Sequence, residues 1–233
     1  MKLSEFIDVF SSYSTREKDE LENLFLTYLS ELQRVNKFIN LTAIDDTESV
    51  VEKHFYDSAL ALQYFNIKNK KILDVGTGAG FPGLVLAILC PESEVTLLDS
   101  NNKKIIFLND LILKLKLKNV KTVLGRIEEN SALNENFDFV CNRAVSALRI
   151  LLEICSAPLK INGHMICYKS LKFEEEIEEA KNAFSVLNLK LISTKKVELP
   201  TNKDTRILLD IIKEKSAPKK YPRRFSQILK KPL

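Results

Sequence analysis

Histidine and cysteine are both scarce in this chain, and each scarcity excludes something. The two histidines, His54 and His164, are far apart among 233 residues. That is too few, too widely separated, for an imidazole-based metal centre, so no metal is expected. The four cysteines, Cys90, Cys141, Cys155 and Cys167, form no C-x-x-C pair. A chain of this length needs no disulfide staples, and reduced thiols are expected. No apolar run approaches the roughly 18 residues required to cross a bilayer. The first residues, MKLSEFIDVFSSYS, lack the basic-then-apolar layout of a secretory leader. These absences lead to the expectation of a cytoplasmic protein with no membrane segment. Asn40-Leu41-Thr42 matches a glycosylation acceptor, which has no weight without a leader.

What is present is sufficient for a folded enzyme-sized domain. Hydrophobic residues make up 45% of the chain and charged residues 28%, enough to bury a core in one domain with an extension. The net charge is only +4, but it is unevenly placed. From residue 213 to 233 there are eight basic residues (Lys213, Lys215, Lys219, Lys220, Arg223, Arg224, Lys230 and Lys231) against one acid, Glu214. One reading of this tail is a solvated, disordered terminus. The other is an arm that contacts phosphates, with Tyr221 and Phe225 available to stack or anchor it. Pro218, Pro222 and Pro232 argue against a long helix there.

Hydrophobic spacing divides the chain. Leu21, Leu24, Tyr28, Leu32 and Val35 share one face of a helix over 16–36. Shorter helices are predicted over Leu3 to Phe10 and 48–65, with no strand signal before residue 71. The pattern then changes to short strands at 71–75, 95–98, 120–124, 137–141 and 164–168, separated by helical stretches at 84–90, 103–115 and 144–157. This alternation predicts a doubly wound, mostly parallel α/β sheet. A helix over 173–187 turns Phe173, Ile177, Ala180, Phe184 and Leu187 inward. Its glutamates Glu174, Glu175, Glu176, Glu178 and Glu179 read as a solvated face. Two final strands, 189–197 and 206–212, are joined closely enough to predict a hairpin and an antiparallel edge. The division expected is a helical extension over 1–66, a ligand-binding domain over 67–213 and a basic tail over 214–233.

The glycines are concentrated where that fold binds ligands. Of six in the chain, Gly76, Gly78, Gly80 and Gly83 fall within eight residues, directly after the first strand and before a helix. The first βα turn of a doubly wound sheet is a nucleotide-binding position. A dinucleotide fingerprint wants G-x-G-x-x-G. Here the third glycine comes one residue early, and Asp74 ends the strand just ahead of it. A carboxylate is awkward beside a pyrophosphate but suits the ammonium and sulfonium of S-adenosylmethionine. Gly83 reads as helix–strand packing. Asp99 ends the second strand, where an acid accepts from ribose hydroxyls, although Asp99-Ser100-Asn101 also reads as a helix cap. After the third strand, Gly125-Arg126-Ile127-Glu128 lies where adenine would rest. Ile127 is placed to pack on the base, whereas Glu128 is either a contact or surface charge.

The acceptor side follows the fourth strand, at Cys141-Asn142-Arg143-Ala144-Val145. It lacks the Asp/Asn-Pro-Pro-aromatic run of base N6-methylation. Cys141, the one candidate nucleophile for cytosine C5 chemistry, alternates onto the core face. Arg143 sits at the strand's carboxyl end, and a permanently charged donor there suits a guanine edge or a phosphate. Methylation of guanine N7 would need no general base, because N7 carries a lone pair and no proton.

Taken together, these stretches resemble the ribosomal RNA small-subunit methyltransferase G family, also called glucose-inhibited division protein B. The similar segments are Asn40-Leu41-Thr42, His54-Phe55-Tyr56-Asp57-Ser58, the Asp74 to Gly83 loop, Leu98-Asp99-Ser100, Gly125-Arg126-Ile127-Glu128, Asn142-Arg143-Ala144, Tyr168-Lys169, Arg206 and Tyr221-Pro222-Arg223-Arg224. The resemblance implies a seven-stranded class I methyltransferase (Rossmann-like) sheet with an N-terminal helical cap. It implies S-adenosylmethionine as cofactor and methylation of guanine N7 at one site of small-subunit (16S) ribosomal RNA. The expected cofactor residues are Asp74, Gly76, Gly78, Gly80, Phe81, Asp99, Ser100, Ile127, Glu128 and Arg143, with Arg143 also at the chemistry. RNA contacts are expected from Arg126, Lys169, Arg206, Arg223 and Arg224, and His54 and Asp57 beside the pocket. The partner implied is small-subunit rRNA or the 30S subunit, met by a monomer. One departure is in the tail, where Ser226 and Ile228 stand in place of the family's glycine and second proline. The competing readings are a methyltransferase for another RNA, a protein or a small molecule; a nicotinamide-dependent dehydrogenase; and a non-catalytic RNA-binding module.

Overall fold

In the computed structural model, which describes residues 1–233, the first third of the chain is helical and the rest alternates strand and helix. Helices α1 (Leu3–Phe10) and α2 (Lys18–Ile39) bury Phe6, Phe10, Leu21, Phe25 and Tyr28 completely, as the three-and-four spacing requires. α2 stops where Asn40 turns left-handed, at φ 46°. The helix expected over 48–65 is continuous but uneven. α3 (Thr47–Val50) passes through a π-helical turn (Val51–Tyr56) into α4 (Asp57–Ala59) and a 3-10 turn (Leu60–Gln63). Wide turns of this kind recur at functional sites, and this one carries Lys53 and His54, with Asp57 directly after it.

The seven strands are β1 (Lys71–Val75), β2 (Glu94–Asp99), β3 (Val120–Leu124), β4 (Phe137–Arg143), β5 (Leu159–Lys169), β6 (Leu189–Glu198) and β7 (Thr205–Lys213), in spatial order 3-2-1-4-5-7-6. Pairing is parallel from β3 through β5, and β7 runs antiparallel to both β5 and β6. The predicted hairpin is present, but the antiparallel strand is not the edge. β7 inserts between β5 and β6. Burial explains the order: Ile207, Leu208, Leu209 and Ile211 are buried on both faces, whereas β6 alternates buried and exposed, as a strand with one wet face does.

Helices α5 (Gly83–Leu89) and α6 (Asn102–Lys114) join the N-terminal helices on one face. That core runs from Met1 to Leu208, so residues 1–66 share their interior with the sheet. The other face is covered by α7 (Leu148–Ser156), α8 (Phe173–Glu179), α9 (Lys181–Val186) and α10 (Phe225–Lys230). α7 begins later than the sequence predicts because Ala144 turns left-handed, at φ 55°. The helix predicted over 173–187 is broken at Ala180 (φ −91°, ψ 0°) into α8 and α9. The C-terminal tail is folded onto the domain, with Ile228 fully buried and Tyr221 and Phe225 packed against the second core. No helix is long and apolar enough to cross a membrane.

Candidate active site

Strand order reverses between β1 and β4, and the crevice outside their carboxyl ends is where such sheets hold ligands. The glycine run crosses it. Gly76 and Thr77 donate their N–H groups to Leu98 O at 2.9 and 3.0 Å, tying the loop to the end of β2. Gly80 sits at φ 106°, and a Cβ there would lie 2.6 Å from Tyr28 Oη. Tyr28, fully buried on α2, donates to Ala79 O at 2.7 Å. The N-terminal helix therefore props the loop from beneath.

Asp74 takes a different place from the one expected. It is fully buried under the loop, where Oδ2 accepts from Thr77 Oγ1 (2.7 Å) and from Gly83 N (2.8 Å). It braces the turn and does not reach the open crevice. Burial pushes its carboxyl up to about 6, against the pull of those two hydrogen bonds. Gly83 packs on Leu97 and Asp74, the helix–strand contact read from the sequence.

Asp99 does not cap α6. That role belongs to Asn101, whose side chain accepts from Lys103 N. Asp99 Oδ2 accepts from Gly78 N (2.9 Å) and Oδ1 from Asn101 N (2.8 Å), so each oxygen keeps a second acceptor direction. Lys104 Nζ stands 3.7 Å from Oδ2, and Ser100 beside it is exposed. Across the crevice Gly125 adopts φ 146°, with no atom within 4 Å of where a Cβ would be. Ile127 is buried in the second core, and Glu128 Oε1 is buried without a partner, with desolvation raising that carboxyl. An open glycine floor, an acid with spare acceptor directions and an unpartnered carboxylate oxygen fit the nucleoside half of S-adenosylmethionine. Gly76, Gly78 and Gly80 would lie along its methionine half.

Next to this crevice, a cavity of about 700 Å³ opens over the ends of β4 and β5 and the start of β7. Arg143 projects from β4 between its walls. Nη1 donates to Lys53 O (3.1 Å) and Asp57 Oδ2 (3.0 Å), and Nη2 donates to His54 Nδ1 (3.2 Å). His54 Nδ1 also lies 3.1 Å from Lys53 O, and Nε2 faces Thr42 Oγ1 at 2.7 Å, so both ring nitrogens are engaged. Burial and the Arg143 charge hold the His54 imidazole down at about 3. Phe81 joins the two compartments: its ring stacks on Tyr28 and His54, at 5.5 and 4.6 Å, and lies 5.0 Å from the Arg143 guanidinium carbon. Arg206 Nε is 3.4 Å from Asp57 Oδ2, so one carboxylate gathers two arginines from different strands. Cys141 is buried, its thiol raised by desolvation, and it offers no nucleophile to the cavity.

Lys169 leaves β5 toward the other face of the sheet, donating to Ser146 O (2.9 Å) and Glu176 Oε2 (2.7 Å). Glu176 therefore leaves the solvated face to which periodicity assigned it. It lines the cavity and also accepts from Leu148 N (2.7 Å), and no local pattern in the sequence marks it. Asp57 was legible only through the resemblance.

The tail divides its charges. Arg223 forks onto the fully buried Glu153, with Nε 2.8 Å from Oε1 and Nη2 2.5 Å from Oε2, and Lys213 donates to Glu135 (3.1 Å). The other six tail cations, Arg224 among them, are exposed and within 4 Å of no carboxylate. Arg126 is exposed too, its guanidinium 4.7 Å over the ring of Phe225, which sets the tail against the rim of the cofactor crevice.

Comparison with known proteins shows the family and the fold. The family model described as rRNA small subunit methyltransferase G matches residues 21–205. A "Ribosomal RNA small subunit methyltransferase G" from Clostridium perfringens is 44% identical over 213 residues, covering 90% of this chain and 89% of the relative. One from Lactobacillus delbrueckii subsp. bulgaricus is 39% identical over 234 residues, covering 98% of each. Among solved structures, M. jannaschii TYW2 in complex with AdoMet superposes with a TM-score of 0.57 at 18% identity, over 73% of this chain and 79% of that one. A SAM-dependent methyltransferase from Aquifex aeolicus gives 0.56 at 20% identity, over 79% and 98%. These distant structures share the fold.

Proposed function

Because the chain belongs to the rRNA small subunit methyltransferase G family, we propose that it methylates N7 of one guanine in small-subunit ribosomal RNA. It is a methyltransferase of the class I fold that uses S-adenosylmethionine. When bound, the cofactor supplies a methyl group made electrophilic by its sulfonium. The chain's own part is placement. Asp99 accepts the ribose hydroxyls, and the loop from Gly76 to Gly80, stiffened by Asp74 and Tyr28, fixes the methionine end. Arg143 cannot wander, because Lys53, His54 and Asp57 hold three of its contacts. It therefore meets the acceptor as a preset donor, for which guanine O6 or a phosphate is the fitting group. N7 needs no base, and neither His54, neutral and engaged, nor Asp57, tied to two arginines, is placed to act as one. Rate then comes from in-line positioning and electrostatics.

The observation that carries the reading is the adjacency of the nucleoside crevice to a cavity walled by Lys53, Arg143, Lys169 and Arg206. Six unpaired tail cations, with the exposed Arg126 set over Phe225 of the same tail, give the RNA backbone a surface to meet. The test is transfer of labelled methyl to small ribosomal subunits and to naked small-subunit rRNA, followed by mapping of the modified nucleoside. A single 7-methylguanosine is expected. Label at any other atom or base overturns the N7 assignment.

A further inference from the structure

Two carboxylates line the acceptor cavity, and they are not equivalent. Asp57 is occupied: Oδ2 takes Arg143 and faces Arg206, and Oδ1 is sealed from solvent. Glu176 reaches in from α8. Its Oε2 accepts from Leu148 N and Lys169 Nζ, both at 2.7 Å, which pins the carboxylate to the start of α7 and the end of β5. Oε1 takes part in no hydrogen bond and is not among the sealed atoms. The glutamate side chain is 23% exposed against 7% for the lysine it holds, so the acid faces the opening and the cation lies behind it.

The rest of the cavity is rich in donors, from Arg143, Arg206 and Lys53. Glu176 Oε1 is thus a fixed, free acceptor in a donor-lined space. Guanine presents a matching edge: O6 accepts, and N1–H and the N2 amino group donate beside it. Adenine reverses the first two, with a donor at N6 and a lone pair at N1 that a carboxylate would repel. Enzymes that modify a base take it out of the stack and read this edge in a pocket. N7 lies beyond O6 on the neighbouring edge, away from N1 and N2, so a contact to those two groups leaves it clear for the methyl group.

We infer that Glu176 selects the guanine, accepting from N1–H and the N2 amino group while the arginines face O6. The inference rests on the guanine reading above and adds the residue that enforces it.

Glu176→Gln separates selection from architecture. The amide keeps a carbonyl oxygen for Leu148 N and Lys169 Nζ but replaces the free acceptor with a donor. Wild type and variant are compared on small subunits reconstituted with guanine, inosine or adenine at the mapped acceptor, alongside cofactor affinity and thermal midpoint. The variant's kcat/KM on guanine should fall on the order of 10- to 100-fold, and its preference for guanine over adenine should narrow. Cofactor Kd should hold, while the thermal midpoint should fall, because Lys169 keeps its hydrogen bond and loses its counter-charge. Inosine, which lacks the N2 amino group, should be a poorer substrate than guanine for the wild-type enzyme, a result independent of whether the variant folds. If Glu176→Gln keeps the wild-type rate and base preference, or if inosine is methylated as fast as guanine, Glu176 is only a brace for Lys169 and α7. If the wild-type enzyme makes no 7-methylguanosine, the guanine reading falls first and this one with it.

Discussion

Removing the Arg223 side chain should unfasten the C-terminal tail from the domain. Glu153 is fully buried on α7, and Arg223 supplies the donors to its carboxylate: the backbone N–H and Nε to Oε1 at 3.0 and 2.8 Å, Nη2 to Oε2 at 2.5 Å. Arg223→Ala leaves the carboxylate in the interior with a single neutral donor. Breaking one side of a buried ion pair costs about 3–5 kcal/mol. The Arg223 side chain is 23% exposed, so solvent screening places the loss at the lower end, about 3 kcal/mol. In a chain of this size each kcal/mol shifts Tm by about 2–4 °C, so a fall of about 6–12 °C is expected. The tail can also open locally without the domain, in which case hydrogen exchange over residues 217–233 would report the loss first. Calorimetry and exchange together distinguish the routes. Replacing both partners, Glu153→Met with Arg223→Met, should recover most of the loss, because no charge is then left buried. If Arg223→Ala melts with the wild type and its tail amides stay protected, then Tyr221, Phe225 and Ile228 hold the tail unaided and the reasoning fails.

Three further outcomes follow from the same geometry. Asp99→Ala should weaken S-adenosylmethionine binding by about 1.5–3 kcal/mol, the worth of hydrogen bonds to a charged acceptor, and an unchanged Kd by calorimetric titration would remove Asp99 from the ribose site. His54, held at about 3 in the folded chain against 6.5 when free, binds a proton only on unfolding between those values. Stability should therefore fall as pH drops from about 6.5 toward 3, and His54→Gln should lose that part of the slope; a variant whose stability runs parallel to wild type across the window would refute it. Neutralising Lys219, Lys220 and Arg224 together should weaken RNA binding uniformly across sequences and reduce the log–log salt slope by about 2–3. A slope that does not move would mean these cations face away from the RNA.

The fold was readable in advance because its signals are local. Near-continuous apolar strands such as Ile72–Val75 and Val95–Leu98 can only be buried on both faces, and a glycine run after the first of them marks a βα turn. The ends of elements were less legible. α7 starts late because Ala144 turns left-handed, and the predicted helix over 173–187 breaks at Ala180, neither of which leaves a proline or glycine to read. The place of β7 was also hidden, since a hairpin does not say which of its strands faces the sheet.

For the site, the residue types were visible and their partners were not. The glycine run, Asp99 and Arg143 could be picked out because their chemistry and their position after a strand coincide within a few residues. Asp74 was picked out too, as a partner for the cofactor's cationic end, but it lies beneath the loop, where Thr77 and Gly83 donate to it. Of the tail's cations, composition could not separate Arg223, clamped inward on Glu153, from Arg224, which is free. The gathering of Arg143 and Arg206 on Asp57, and of Lys169 and Leu148 on Glu176, joins residues up to about 150 positions apart in the chain. The sequence by itself determined the sheet, the cofactor turn and the family, since these depend on periodicity and short motifs. Which charges face the acceptor, and which are consumed in holding the others, was decided by the packing of distant strands and helices.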